Sequence, residues 1–134
     1  EIIYVLATVT TKNQNFIDKK LLKKIKPNSC FILMSRAAVV NFKDLINVVK
    51  KRNIFVATDV FPEEPVPKKS SLRKVKNILF SAHRAGALKS AFFNMGDIVL
   101  KDMSLIRKNL KPKFCKIANK KTVNLIVSKP VAIN

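Results

Sequence analysis

Residues 30–61 decide the fold, and they run CFILMSRAAVVNFKDLINVVKKRNIFVATDVF. The stretch begins with an unbroken apolar segment, continues with helical periodicity and ends in a second apolar segment. Continuous apolar segments are typical of strands that are buried on both faces of a parallel sheet. A strand, a helix and a strand in this order predict a right-handed crossover, and therefore an α/β fold with a parallel sheet.

The same alternation extends outward in both directions. Strands are predicted at residues 2–6, 30–34, 54–58 and 77–80. Asp18 is placed to cap a helix that runs to about Lys26. Asn41 is placed to cap a second helix, with Asp44 three residues on at a capping-box position.

After Gly86 the pattern changes to one long amphipathic helix, which Pro112 closes. Its apolar residues recur at spacings of three and four, and they are Leu88, Phe92, Met95, Val99, Met103, Ile106 and Leu110. Such a stripe indicates core packing or docking to a partner domain rather than a cofactor site. Residues 113–134 are basic and weakly patterned, which predicts a tail or the start of another domain.

Composition limits the function classes. The 134 residues are 48% hydrophobic, enough for one core of ordinary size. No apolar run approaches the roughly 20 residues that span a bilayer. We therefore expect a cytoplasmic protein with no membrane partner. The chain opens directly into a strand-like segment, so we also expect a fragment of a longer protein.

The formal net charge of +19 raises the hypothesis of nucleic-acid binding, because clustered Lys and Arg release counterions from phosphate. The lysines, however, are scattered over every predicted helix and loop, as on solvated faces. A lysine-rich composition is the favoured explanation, and nucleic acid is not expected as a partner. Cys30 and Cys115 form no C-x-x-C motif, so neither a disulfide framework nor a metal site is predicted.

Three predicted strands are each followed by one residue suited to acid–base or carboxylate chemistry, and these residues are Arg36, Glu64 and His83. In an open parallel sheet such strand ends share one edge, where ligands bind. An arginine, a carboxylate and an imidazole at that edge suit a substrate with a carboxylate and a hydroxyl. The alternatives are a surface or satisfied core histidine, an Arg36 that serves only in a surface ion pair and an Asp59 that only caps a turn.

Three segments in order resemble the D-isomer-specific 2-hydroxyacid dehydrogenases. They are residues 34–41 (MSRAAVVN), 58–65 (TDVFPEEP) and 81–86 (SAHRAG). The spacings between the arginine, the glutamate and the histidine are usual for that family. The resemblance runs from residue 1 to about residue 110.

The resemblance implies the second half of a Rossmann-like NAD(P)-binding domain at residues 1–87. Residues 88–134 would be a long return helix and a basic tail that belong to or lead to the substrate domain. The three-glycine phosphate turn of such domains cannot be built here, because the chain has only two glycines, Gly86 and Gly96. We therefore expect the fragment alone to be inactive.

For the full-length protein, the resemblance implies a homodimeric oxidoreductase that transfers a hydride between NAD or NADP and a D-2-hydroxy acid or 2-keto acid. In that family His83 would be the acid–base group, Glu64 its carboxylate partner and Arg36 the ligand of the substrate carboxylate. The residues implied to line the cofactor are Met34, Ser35, Arg36, Asp59, His83, Ala85 and Gly86. The alternative is a non-catalytic module of the same fold that senses a cofactor or binds nucleic acid or protein.

Overall fold

The computed structural model describes residues 1–116 and 118–124 of the chain. These residues form two compact units, Glu1–His83 and Arg84–Asn124. The sequence predicts domains at 1–87 and 88–134, and the last ten residues of the predicted tail lie outside the described residues.

The first unit is built on a four-stranded parallel sheet in the order β1-β2-β3-β4. The strands are β1 (Ile2–Val5), β2 (Cys30–Leu33), β3 (Phe55–Thr58) and β4 (Ile78–Phe80). This sheet, with its crossover helices and a long C-terminal helix, confirms the predicted α/β, Rossmann-like fold. Each strand is one residue shorter than the sequence predicts.

Two helices connect the first three strands. Helix α1 is Lys19–Leu22 and helix α2 is Phe42–Arg52. The predicted caps are present: the Asp18 side chain accepts the Leu21 N–H at 2.9 Å, and the Asn41 side chain accepts the Asp44 N–H at 3.1 Å. These bonds satisfy backbone donors that a helix leaves unpaired at its start.

The predicted extension of α1 to Lys26 is wrong. The α-helix ends after Leu22 and a tighter turn follows it, because Lys24 and Ile25 donate their N–H groups to carbonyls three residues back rather than four.

The core lies between the helices and one face of the sheet. Its fully buried side chains include Leu22, Phe31, Leu33, Leu45 and Ile54. Burial of one such side chain contributes roughly 1.5–3 kcal/mol. Because the strands follow one another in spatial order and parallel crossovers are right-handed, every crossover covers the same face.

The prediction that β2 is buried on both faces is therefore wrong. Phe31 and Leu33 are buried, whereas Cys30 and Ile32 alternate with them and are only partly buried. Their face of the sheet has no crossover helix. In the register of the sheet, Cys30 is flanked there by Ile2 and Phe55, which are both exposed.

The second unit is dominated by helix α3, Lys89–Arg107, followed by the short helix α4, Lys120–Val123. Helix α3 ends before Pro112, at an Asn109 with a left-handed backbone (φ 56°). The Leu110 N–H bonds to the Leu105 carbonyl and the Asn109 N–H to the Ile106 carbonyl, both at 2.9 Å. This pattern is a Schellman motif, so Asn109 rather than the proline stops the helix.

Asp102 ties the segment after α3 back to the helix. Its carboxylate is 4% exposed and accepts the N–H groups of Lys113, Phe114 and Cys115 at 2.6–3.1 Å. Burial acts to raise the pKa of Asp102, but the three backbone donors outweigh it and hold that pKa below its ordinary value. Residues 113–115, predicted as part of a weakly patterned tail, are thus fixed in place.

No helix among the described residues combines the length and apolar character that a membrane span requires.

Acid is expected to release residues 113–115 from α3. The pKa of Asp102 is lowered in the folded state, so its ionised carboxylate stabilises the folded segment fully above the unfolded pKa of about 3.9. This stabilisation is lost as the pH falls through the lower pKa of the folded state. Hydrogen exchange followed by NMR, corrected for intrinsic rates, should show the three amides protected down to about pH 3.9 and losing protection only below it.

The matched control is Asp97, an exposed carboxylate on the same helix. Asp102→Asn should lose several-fold amide protection at neutral pH, since hydrogen bonds to a charged acceptor are roughly twice as strong as neutral ones. Asp97→Asn should change nothing. Full protection in Asp102→Asn would contradict the role given to this carboxylate.

Candidate functional site

The carboxyl ends of β2, β3 and β4 lie side by side. Leu33, Thr58 and Phe80 are neighbours across the sheet in register. Arg36 lies three residues after Leu33, and His83 lies three residues after Phe80. At this level β2 and β4 are about 10 Å apart, two strand spacings, which leaves room for a small ligand above β3.

The structure joins Glu64 and His83 directly. The His83 Nδ1 lies 2.7 Å from the Glu64 Oε2, and the two side chains are only 31% and 23% exposed. A carboxylate can only accept, so Nδ1 carries the hydrogen of this bond. The other ring nitrogen, Nε2, is then the one available to a ligand.

The second oxygen of Glu64 is also held. The Phe61 backbone N–H donates to Glu64 Oε1 at 2.8 Å, and the Glu64–Pro65 peptide bond is cis. Ahead of this loop the buried Thr58 hydroxyl donates to the Val60 carbonyl at 2.8 Å. The carboxylate is therefore fixed through both oxygens, by the backbone on one side and by the imidazole on the other.

His83 has a left-handed backbone, with φ at 54°. This region favours glycine, although histidine enters it more often than most side chains. A residue held there costs of order 1–3 kcal/mol, and such residues cluster at functional sites. The backbone turn directs the imidazole toward Glu64.

Arg36 stands at the same sheet edge but is not joined to that pair by any hydrogen bond or ion pair that we observe. Its guanidinium is exposed, and Nη1 donates to the Ser35 carbonyl at 2.8 Å. Four of the five N–H donors of an arginine are left for other partners.

Two further residues implied to line the cofactor, Ser35 and Asp59, lie at this edge. The Ser35 hydroxyl is buried without a hydrogen-bond partner among the described residues. Asp59 is buried, and its N–H donates to the Leu33 carbonyl at 3.1 Å, which links the ends of β2 and β3. Met34, by contrast, is exposed.

Ala85 and Gly86 belong to the second unit, where the Ala87 N–H closes a turn on the Arg84 carbonyl at 2.9 Å. A Cβ at Gly86 would meet no atom within 4 Å. Neither its φ nor its surroundings within that unit require a glycine.

An apolar cavity of about 570 Å³ in the first unit lies beside β1. Its lining includes Leu6, Phe16 and Leu21, and it contains neither Glu64 nor His83. With no charged side chain in its lining, this cavity offers none of the chemistry described above.

Comparison with known proteins identifies the family. Residues 1–85 match the model described as "D-isomer specific 2-hydroxyacid dehydrogenase, NAD binding domain". The chain belongs to this family. It is 35% identical over 105 residues to a glyoxylate reductase of Thermococcus litoralis, covering 78% of this chain and 31% of that protein. The chain thus spans about a third of the length of this curated relative.

Solved structures agree with this assignment. A phosphoglycerate oxidoreductase from Rhizobium etli is 44% identical with a TM-score of 0.77, covering 89% of this chain and 36% of that one. A D-isomer specific 2-hydroxyacid dehydrogenase from Xanthobacter autotrophicus, solved with NADPH and MES, has a TM-score of 0.72. It is 23% identical over 84% of this chain and 46% of its own, and shows a shared fold.

The residues present fit one end of the family's dinucleotide cofactor. The buried, unpartnered Ser35 hydroxyl is a free hydrogen-bonding group at the edge that carries the Glu64–His83 pair. The glycine-rich turn that cradles the pyrophosphate is not among the 134 residues. Among the described residues, no cluster of three or more His, Cys, Asp or Glu side chains could hold a metal ion.

Sequence reasoning missed three features: two contacts and one buried hydroxyl. The Phe61 N–H on Glu64 and the buried Ser35 hydroxyl leave no readable signal, because both depend on loop geometry. Asp102 does leave one: it interrupts the apolar stripe of α3, three residues after Val99 and four before Ile106. A carboxylate on an apolar helix face indicates a buried partner.

Removing the Glu64 carboxylate is expected to free both His83 and the Phe61 amide. In Glu64→Ala the exchange-protected Nδ1–H signal of the chain's one histidine should disappear from the proton NMR spectrum, and the Phe61 amide should exchange faster. The free energy of unfolding should fall by about 1 kcal/mol or less, because the pair is partly solvated. Glu63→Ala, its exposed neighbour, should leave both signals intact; the same loss there would refute the assignment.

Proposed function

We propose that this chain is the second half of the NAD(P)-binding domain of a dehydrogenase that interconverts D-2-hydroxy acids and 2-keto acids. The observation that carries the proposal is the 2.7 Å bond between His83 and Glu64 at the sheet edge that Arg36 shares. Relatives named glyoxylate reductase or glyoxylate/hydroxypyruvate reductase make those two keto acids the substrates to test first.

His83 would handle the proton of the substrate hydroxyl. Oxidation of a hydroxy acid at C2 requires a base for that proton, and reduction of the keto acid requires an acid. The Nε2 atom is the free nitrogen for this exchange, since Nδ1 is held by Glu64. Glu64 fixes the tautomer and stabilises the imidazolium that forms when Nε2 takes the proton.

Arg36 would bind the substrate carboxylate. Its guanidinium already sits at the carboxyl end of β2 and uses only one observed donor, on the Ser35 carbonyl. The remaining donors suit a carboxylate, ideally through two parallel charged hydrogen bonds. Binding there would hold C2 between Arg36 and His83.

The cofactor supplies the hydride acceptor or donor. We propose that Ser35 and Asp59, at the sheet edge, line its nicotinamide end, with Met34, Ala85 and Gly86 as further lining residues. NAD and NADP both fit the residues of this chain, because the acidic or basic residue that distinguishes them follows the missing glycine-rich turn.

Three features stay predictions: homodimer formation, a cytoplasmic location and the inactivity of this chain by itself. The alternative function is a non-catalytic module that senses a cofactor or binds nucleic acid or protein. It would show as a steep salt dependence of DNA affinity without turnover of any short hydroxy acid.

In the complete enzyme, His83→Gln should lower kcat for glyoxylate reduction by about 100- to 10,000-fold, the usual contribution of a general acid. Cofactor affinity, followed by fluorescence titration, should change little, because the imidazole acts on the substrate. Glu63→Gln serves as the matched control outside the pair. Unchanged turnover in His83→Gln would remove His83 from the mechanism.

The 134-residue chain alone should show no measurable NAD or NADP affinity. With two glycines it cannot build the phosphate turn, which supplies most of the contacts to the pyrophosphate. Isothermal titration calorimetry is the direct measurement. Micromolar binding would show that the residues of this chain hold the dinucleotide without that turn.

A further inference from the structure

Two phenylalanines connect the loop that carries Glu64 to the strand that leads to His83. The rings of Phe61 and Phe80 stack with their centroids 5.8 Å apart and their planes at 30°. Phe61 is buried and belongs to the segment after β3, while Phe80 is the last residue of β4. The contact therefore spans the two elements on which the acid–base pair stands.

Each phenylalanine is connected through the backbone to one member of the pair. Phe61 is the residue whose backbone N–H holds Glu64 Oε1 at 2.8 Å. Phe80 lies three residues before His83, and the next residue, Ser81, bonds through its N–H to the Thr58 carbonyl at 3.0 Å. A shift of either ring would move a backbone segment that aims one of the two side chains.

The backbone that leads into the stack is itself fixed. Thr58 pairs with Phe80 in the register of the sheet, and its buried hydroxyl donates to the Val60 carbonyl at 2.8 Å. This bond sets the path of the chain into Phe61. The result is a closed loop of contacts from Thr58 through Phe61, Glu64 and His83 back to Phe80.

We propose that Phe61 and Phe80 are positioning residues for the Glu64–His83 pair, acting through their ring contact rather than by touching substrate. Interactions of stacked aromatic rings are strong enough to change the population of an exposed hydrogen bond several-fold. One 2.7 Å bond between partly solvated side chains joins the loop to the strand end. A second contact is needed to keep the two side chains of the pair in position. The catalytic consequence rests on the proposed function; the geometric consequence does not.

The test compares three substitutions. Phe80→Leu removes the ring but keeps apolar bulk, whereas Phe80→Tyr keeps the ring and can place its hydroxyl in solvent, because Phe80 is 38% exposed. Phe55→Leu makes the same chemical change at an exposed phenylalanine that starts β3 on the opposite face of the sheet. Folding of each variant is checked from the amide protection of α2.

The first readout is the exchange rate of the His83 Nδ1–H with water, measured by NMR on the 134-residue chain. Phe80→Leu should raise this rate roughly 2- to 10-fold, the range expected for loss of one aromatic pair. Phe80→Tyr and Phe55→Leu should match the unsubstituted chain. An unchanged rate in Phe80→Leu, or an equal rise in Phe55→Leu, would overturn the proposal.

If Phe80→Leu does not fold, Phe80→Met replaces it, since methionine fills the same space without a ring. If neither folds, Phe61→Leu removes the other ring of the same stack and faces the same two outcomes. A failure of all three to fold while Phe80→Tyr folds would show that the stack supports the whole unit, and this too would overturn a specific positioning role.

The second readout is the kcat for glyoxylate reduction, compared with the KM for NAD(P)H, in the complete enzyme. Phe80→Leu should lower kcat by a similar factor with the KM for NAD(P)H unchanged, and Phe80→Tyr should restore it. If Phe80→Leu speeds Nδ1–H exchange but His83→Gln keeps normal turnover, the proposed function is refuted and the positioning role stands. If Phe80→Leu leaves the exchange rate unchanged but His83→Gln loses turnover, the positioning role is refuted and the proposed function stands.

Discussion

The right-handed crossover between parallel strands is the constraint on which the rest of the first unit depends. Because β1 to β4 follow one another in spatial order, each crossover falls on the same face. That single fact concentrates the core on one side of the sheet. Because the strands are parallel, the carboxyl ends of β2, β3 and β4 also lie at one edge, where the candidate site is built.

The other face of the sheet shows what this arrangement leaves incomplete. Ile2, Tyr4, Phe55 and Leu79 are apolar and exposed there. In doubly wound α/β proteins both faces of the sheet are covered by helices. The chain spans about a third of the length of its curated relatives, and an uncovered face agrees with the proposal that it is one half of such a domain.

At the candidate site, three weak contacts together hold the Glu64–His83 pair. The bond between Glu64 and His83 joins partly solvated groups, and such pairs contribute little free energy by themselves. Its geometry is supported by the Phe61 N–H and by the stack of Phe61 on Phe80. In the second unit Asp102 works differently, since one buried carboxylate collects three backbone donors and fixes a segment alone.

The sequence by itself determined the strand and helix order and the caps at Asp18 and Asn41, because apolar periodicity and cap chemistry are local. It also predicted Arg36, Glu64 and His83 as site residues, since each follows a predicted strand. Only the tertiary structure decided the uncovered side of β2, which depends on crossover direction, and it alone revealed the early end of α1 and the left-handed stop at Asn109. It alone also brought Phe61 and Phe80 together from distant parts of the chain. Contacts of that kind are set by sheet register and loop path, which no local pattern of residues encodes.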